Sequence, residues 1–266
     1  MKKVALSVSY NGAPYHGWQC QKGNVRTVQG ELENALSKIA NSPIRVSCAG
    51  RTDAGVHATN QIVEFSTNSD RDTRAWVYGT NSHLPESISV NCGATVPNNF
   101  SARHSAFSRR YLYVIYNSPI RSALLPEYLY REHRPLDHKK MHEAAQFLVG
   151  EKDFSSFRAS KCQSNTAMRN VLSVKVSREG DLIILDITAN AFLLHMVRNI
   201  VGVLLDVGAG EKPVSWPRSL LAFKDRSKAS KTAPPNGLFL IGVRYEASIH
   251  IDIPELVWPQ FLGLQR

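Results

Sequence analysis

The 266-residue chain is poor in cysteine and has no long hydrophobic run. Its four cysteines, Cys20, Cys48, Cys92 and Cys162, stand 28, 44 and 70 residues apart. No CxxC or Cys/His pair therefore has zinc-ligand spacing, and no disulfide framework is indicated. No window approaches about 18 unbroken apolar residues, which excludes a membrane-spanning helix. The basic start MKKVALSVSY lacks both a long apolar core and a small-residue cleavage site, so no signal peptide is expected. These absences together point to a reducing cytoplasm. Acidic residues are also few: 22 Asp and Glu stand against 32 Lys and Arg, leaving a net charge of +10 and a pI near 9.6. That balance meets the basic-domain criterion for a nucleic-acid binder, although a basic surface also serves solubility.

What is present is a core and a rhythm. Hydrophobic residues make up 43% of the chain, and its length is that of one large or two small domains. Val4, Leu6, Val8 and Tyr10 alternate as in a half-buried strand. Val28, Leu32, Ala35, Leu36 and Ile39 fall at helical spacing behind Thr27, a candidate N-cap. Strands are expected around Ile44–Cys48, Val63–Phe65 and Ile88–Val96, with a short helix at Trp76–Tyr78. The second half repeats the order. Tyr111, Tyr113 and Ile115 mark a strand, and Met141, Ala144, Ala145 and Leu148 a helix ending at Gly150. Residues 171–176 and 182–187 form a hairpin through Glu179-Gly180-Asp181. Met196, Ile200, Val203, Leu204 and Val207 define an amphipathic helix, and Leu238–Val243 a last strand. Two β-α-β-β-α-β runs predict an α+β fold of two RRM-like, ferredoxin-like units with antiparallel sheets. The expected domains are 1–106 and 107–266, with a basic cleft where the two sheets join. Positive charge favours the second, which carries 22 basic and 15 acidic residues against 10 and 7 in the first.

One segment carries a chemical signal: Ala49-Gly50-Arg51-Thr52-Asp53-Ala54-Gly55-Val56-His57-Ala58. It lies between two expected strands, and glycines at 50 and 55 free the backbone to turn. Arg51 favours the ionised form of Asp53, leaving a carboxylate able to act as nucleophile or base. The same residues also suit an ordinary turn with an exposed ion pair. His57 reads as a hydrogen-bonded packing histidine.

The string GRTDAGVHA, preceded by YNGAPYHGWQCQ and TVQGELENAL, closely resembles the tRNA pseudouridine synthases of the TruA type. The resemblance continues through FSAR at 100–103, RYLY at 110–113, DFSSFRA at 153–159, Cys162-Gln163, FLLHMVRN at 192–199 and APPNGL at 233–238. It departs at Lys152, where relatives commonly have histidine, and at Pro235, where alanine is usual. The resemblance implies an isomerase that turns uridine into pseudouridine at positions 38, 39 and 40 of the tRNA anticodon stem-loop. It further implies a homodimer and no metal or redox cofactor. Asp53 then matches the catalytic carboxylate, acting on the sugar, on the base or on a ribose proton, against a uridine removed from its stack. Tyr111 matches the active-site tyrosine and Arg198 the arginine that pairs with the aspartate. Arg51 is expected on RNA phosphate or at the departing base.

Trp18, Arg103 and Arg110, with Arg109 beside them, suit RNA contact, and Trp18 equally suits the core. The basic run from Lys224 to Lys231 reads as a solvated segment. Residues from Ile249 on, including Trp258 and Phe261, carry no motif and suit either a hydrophobic cover or a dimer contact. Two rival readings stand beside the first: a family member with another uridine target, and a non-catalytic RNA-binding or chaperone protein.

Overall fold

A computed structural model describes residues 1–266 except 24, 125, 247, 248, 250 and 264–266; the side chain of Phe261 also lies outside the described residues. The fold is mixed α+β, and the chain forms two compact units: Met1–Phe107 with Leu240–Arg266, and Ser108–Phe239. No described helix is long and apolar enough to cross a membrane.

The first unit begins with β1 (Lys2–Tyr10), which is buried on both faces from Val4 to Val8, Ala5 and Ser7 included, and not half-buried as its alternation suggested. Helix α1 (Val28–Ala40) follows. The Thr27 hydroxyl accepts the Gly30 amide at 3.3 Å, fulfilling the cap expected from sequence. Then come β2 (Ser47–Cys48), β3 (His57–Thr67) and β4 (Ile88–Val96). Strand β1 is central and pairs antiparallel with both β3 and β4, while short β2 pairs with β3. The expected helix at 76–78 is a π-helical turn, Ala75–Gly79, whose Trp76 packs edge-on against Phe65 at 5.0 Å.

The second unit contains β5 (Ala106–Asn117) from Ser108 on, β6 (Tyr130–Glu132), α2 (His138–Gln146), β7 (Gly150–Asp153), β8 (Met168–Glu179) and β9 (Leu182–Ala189). Two helices follow, α3 (Met196–Gly208) and α4 (Trp216–Phe223). Its strand order is β5-β9-β8-β7, antiparallel throughout, with β6 added parallel to β5. The β8–β9 hairpin turns at Gly180, where φ is +57°. Strands β6 and β7 and helix α4 are additions to the six elements expected in this half.

The last strand, β10 (Leu238–Tyr245), joins the first unit from Leu240 on and stands beside β3 in the strand order. The segment after it lies along its edge. Val243 donates to the Glu255 carbonyl at 3.1 Å and Val257 to that of Ile241 at 2.9 Å. The Asn60 side chain donates to the Pro254 carbonyl at 2.7 Å, and the Thr59 hydroxyl donates to that of Val257.

Candidate active site

The Asp53 loop joins β2 to β3 and is held along its backbone by residues from other segments. The Gln61 side chain on β3 clamps Gly50, donating to its carbonyl at 2.5 Å and accepting its amide at 3.2 Å. The Thr52 hydroxyl shares a hydrogen bond with the Tyr10 hydroxyl at 2.8 Å, and its carbonyl accepts the Trp18 amide at 3.0 Å. Val56 donates back to the Asp53 carbonyl at 3.1 Å, closing a turn in which Gly55 takes φ +77°. His57 is 1% exposed, and its Nδ1 accepts the Gly12 amide at 3.1 Å. It is therefore a packing histidine, as its sequence context suggested. Asp53 itself is half-buried, between buried Thr52 and exposed Ala54. A carboxylate on a loop fixed by its backbone is held in a defined position.

Trp18 is 2% exposed, its ring 5.9 Å from that of Tyr10. Of the two readings open for it, the structure takes the core. Arg51 and Arg103 are both exposed, and both guanidiniums act on the buried Cys48 thiol. Burial nevertheless pushes that thiol up to about 12, against the pull of the two arginines. Cys48 is thus an inert packing residue.

In the second unit, Tyr111 projects from β5 with 7% of its surface exposed, its ring edge-on to Phe192 at 5.1 Å. Arg198 lies in the first turn of α3. Its Nε donates to the Ala233 carbonyl at 2.8 Å, and Ala233 donates to the Arg198 carbonyl at 3.1 Å. The segment before β10 is thereby tied to the helix. Asn199 strengthens the tie: its Nδ2 donates to the Phe157 carbonyl at 2.8 Å, and its Oδ1 accepts from Thr232 at 2.7 Å and Arg226 at 3.0 Å. Neighbouring Tyr113 donates to the Pro234 carbonyl at 2.8 Å, and burial raises its pKa despite the charge of Arg198. Arg110 grips Asp186 through two bonds of 2.9 and 2.5 Å, while Arg109 is buried and donates to the Asn190 carbonyl at 2.9 Å. Sequence reasoning gave Thr52 and Phe192 no role within their motifs and missed Gln61. A glutamine directly before Ile62 and Val63 on β3 was the available signal for the last.

The family described as tRNA pseudouridine synthase matches residues 6–105 and 144–246. Asp53 and Arg198 fall inside the matched segments, and Tyr111 falls between them. The chain is 55% identical over 243 residues to tRNA pseudouridine synthase A of Legionella pneumophila (strain Lens), covering 91% of this chain and 92% of that protein. It is 56% identical over 262 residues to the protein of that name from Pseudoalteromonas atlantica, and 54% identical over 260 residues to that from Actinobacillus succinogenes. Both of these alignments cover 98% of each chain. On this similarity, spread along nearly its whole length, the chain belongs to the tRNA pseudouridine synthase family.

Proposed function

We propose that this isomerase converts uridine to pseudouridine at positions 38, 39 and 40 of the tRNA anticodon stem-loop, with Asp53 as its catalytic carboxylate. The observation that carries the role of Asp53 is the pinned loop around it, held by Tyr10, Trp18, His57 and Gln61. In the reaction the N1–C1′ bond breaks, the uracil turns, and a C5–C1′ bond forms. C5 loses its proton and N1 gains one, so atoms and oxidation state balance without a co-reactant. Asp53 acts in its ionised form on the sugar, on the base or on a ribose proton. Tyr111 stacks on the extruded uracil, and its hydroxyl stands to assist removal of the C5 proton. Arg198 pairs with the aspartate and favours its charge.

Residues 1–106 bring the aspartate and residues 107–266 the tyrosine and arginine, as two RRM-like α+β halves of the sequence. Arg51 and Arg103, exposed, contact RNA phosphate. Arg110, whose fork is taken by Asp186, is the weaker RNA contact. The protein works in the cytoplasm as a homodimer.

The test is tritium release from tRNA labelled with [5-³H]uridine. Wild type releases tritium, whereas Asp53→Asn releases none and binds tRNA within a few-fold of wild type. One charge contributes little to a polyanion interface of many phosphates. Full release by the variant would remove Asp53 from the chemistry, and release mapped to other uridines would reassign the target.

A further inference from the structure

Arg158, on the loop before β8, and Arg169, at the start of β8, are two guanidiniums in the second unit that the reaction does not use. Arg158 Nη2 donates to the carbonyls of Cys162 at 2.9 Å and Ser164 at 2.6 Å. Arg169 Nη2 donates to the Ser164 hydroxyl at 2.6 Å, and its Nη1 to the Thr166 carbonyl at 3.1 Å. The two cations thus hold one serine from its two oxygens. Among the described residues neither pairs with a carboxylate, and Arg158 Nε and Nη1 make no hydrogen bond.

Such a pair is electrostatically unfinished. Both side chains are half-buried. Burial, and to a lesser degree the charge of Arg158, lower the pKa of Arg169 against the opposing pull of the Cys162 sulfur, so its cation is less stable than one in water. Two half-buried guanidiniums that share one serine as partner are stabilised by an anion between them, and the guanidinium fork matches phosphate oxygens. The loop is also anchored to the approach to α3: Ala159 donates to the Leu194 carbonyl at 3.1 Å, and Leu194 donates to the Cys162 Sγ at 3.5 Å.

We propose that Arg158 and Arg169, with the Ser164 hydroxyl between them, form a phosphate site that grips one backbone phosphodiester of the tRNA substrate. The inference rests on tRNA being the substrate and adds a docking point on the loop that braces the start of the Arg198 helix. Cys162 is its built-in reporter. Burial pushes that thiol up, but the amides of Leu194 and Ser164 and the Arg158 guanidinium outweigh it and bring it below its ordinary value. A phosphate on the pair places negative charge beside the sulfur, which raises its pKa and slows attack on alkylating agents.

The salt dependence of binding of an unmodified tRNA transcript is measured for wild type, Arg158→Gln, Arg169→Gln and Arg158→Lys. Each glutamine variant should flatten the log K against log salt slope by about 0.7–0.9, the loss of one phosphate contact. Arg158→Lys should retain the slope. Unchanged slopes in glutamine variants that melt like wild type would overturn the proposal. Should those variants fail to fold, iodoacetamide alkylation of Cys162 in wild type decides. Saturating tRNA is expected to slow it several-fold, and inorganic phosphate at matched ionic strength to leave it unchanged. No slowing by tRNA, or equal slowing by inorganic phosphate, sinks the tRNA-backbone assignment. Tritium release from wild type is read in parallel. Flattened slopes with no release from any tRNA would count against the isomerase reading and leave this site standing.

Discussion

Gly12 shows how little room the aspartate loop has. A Cβ there would lie 2.0 Å from the Val56 carbonyl oxygen, a backbone atom of the loop itself. Gly12→Ala must therefore displace the segment that carries Asp53, at a cost of about 1–3 kcal/mol for an overpacked site. The expected outcome is a lower melting temperature, with a fall in tritium release larger than the stability loss explains. Wild-type release from a folded Gly12→Ala protein would show that the loop tolerates movement. Cations also separate at this scale. Arg198 is wired into Ala233 on the Asn199-braced helix, whereas Lys228 rests on the Phe223 ring 4.2 Å away. Arg198→Ala should lose at least about 10²-fold in rate, the loss typical of one transition-state donor, while Lys228→Ala stays within about twofold. Equal losses in one rate assay would contradict the assignment.

At the level of elements, Glu132 on β6 fastens the second unit. Its buried carboxylate takes three bonds from Arg134, from the backbone amide at 3.0 Å, Nε at 3.1 Å and Nη2 at 2.8 Å. Burial alone would raise its pKa, but these contacts outweigh it and hold the carboxyl below the ordinary 4.5. A depressed folded-state value means the stabilisation is fully present above about 4.5 and is lost as pH falls through the lower, folded value. Glu132→Gln should cost about 2 kcal/mol at neutral pH, because Arg134 keeps Glu211 at 2.7 Å. Urea midpoints should show wild type and variant converging as pH drops below 4.5. A gap that stays constant to pH 3 would assign the effect to packing. Legibility follows the same physics. Strands β1, β8 and β9 and helices α1 and α3 were readable because each carries a periodic apolar pattern. Strands β6 and β7, at three and four residues, are too short to show a period. Helix α4 is eight residues opening Trp-Pro, with no side-chain cap to announce it. The aspartate loop was legible as a motif. The side chains that pin it were not, because Tyr10, Trp18 and Gln61 come to it from separate segments.

For the molecule as a whole, the path of the chain matters more than its division into halves. The sequence suggested domains 1–106 and 107–266; the compact units are Met1–Phe107 with Leu240–Arg266, and Ser108–Phe239. Sequence periodicity identified β10 as a strand and could not say which unit it serves, since pairing depends on partners far away in the chain. Deleting residues from Ile251 onward removes the backbone bonds of Glu255 and Val257 to β10 and the anchors on Thr59 and Asn60. That deletion should lower the melting temperature by several degrees, read by calorimetry. An unchanged melting curve would mean the segment adds nothing to the unit.

The return of β10 has a consequence for synthesis on the ribosome. Domains usually fold in the order they are made. Here the unit holding Asp53 is begun first, yet the strand that stands beside β3 emerges only after the whole of the second unit. Until then the stretch of that β3 edge not covered by short β2 awaits its partner strand, open to premature pairing with other chains. The aspartate half of the enzyme is thus begun first and closed last, and its partner unit can mature while it waits.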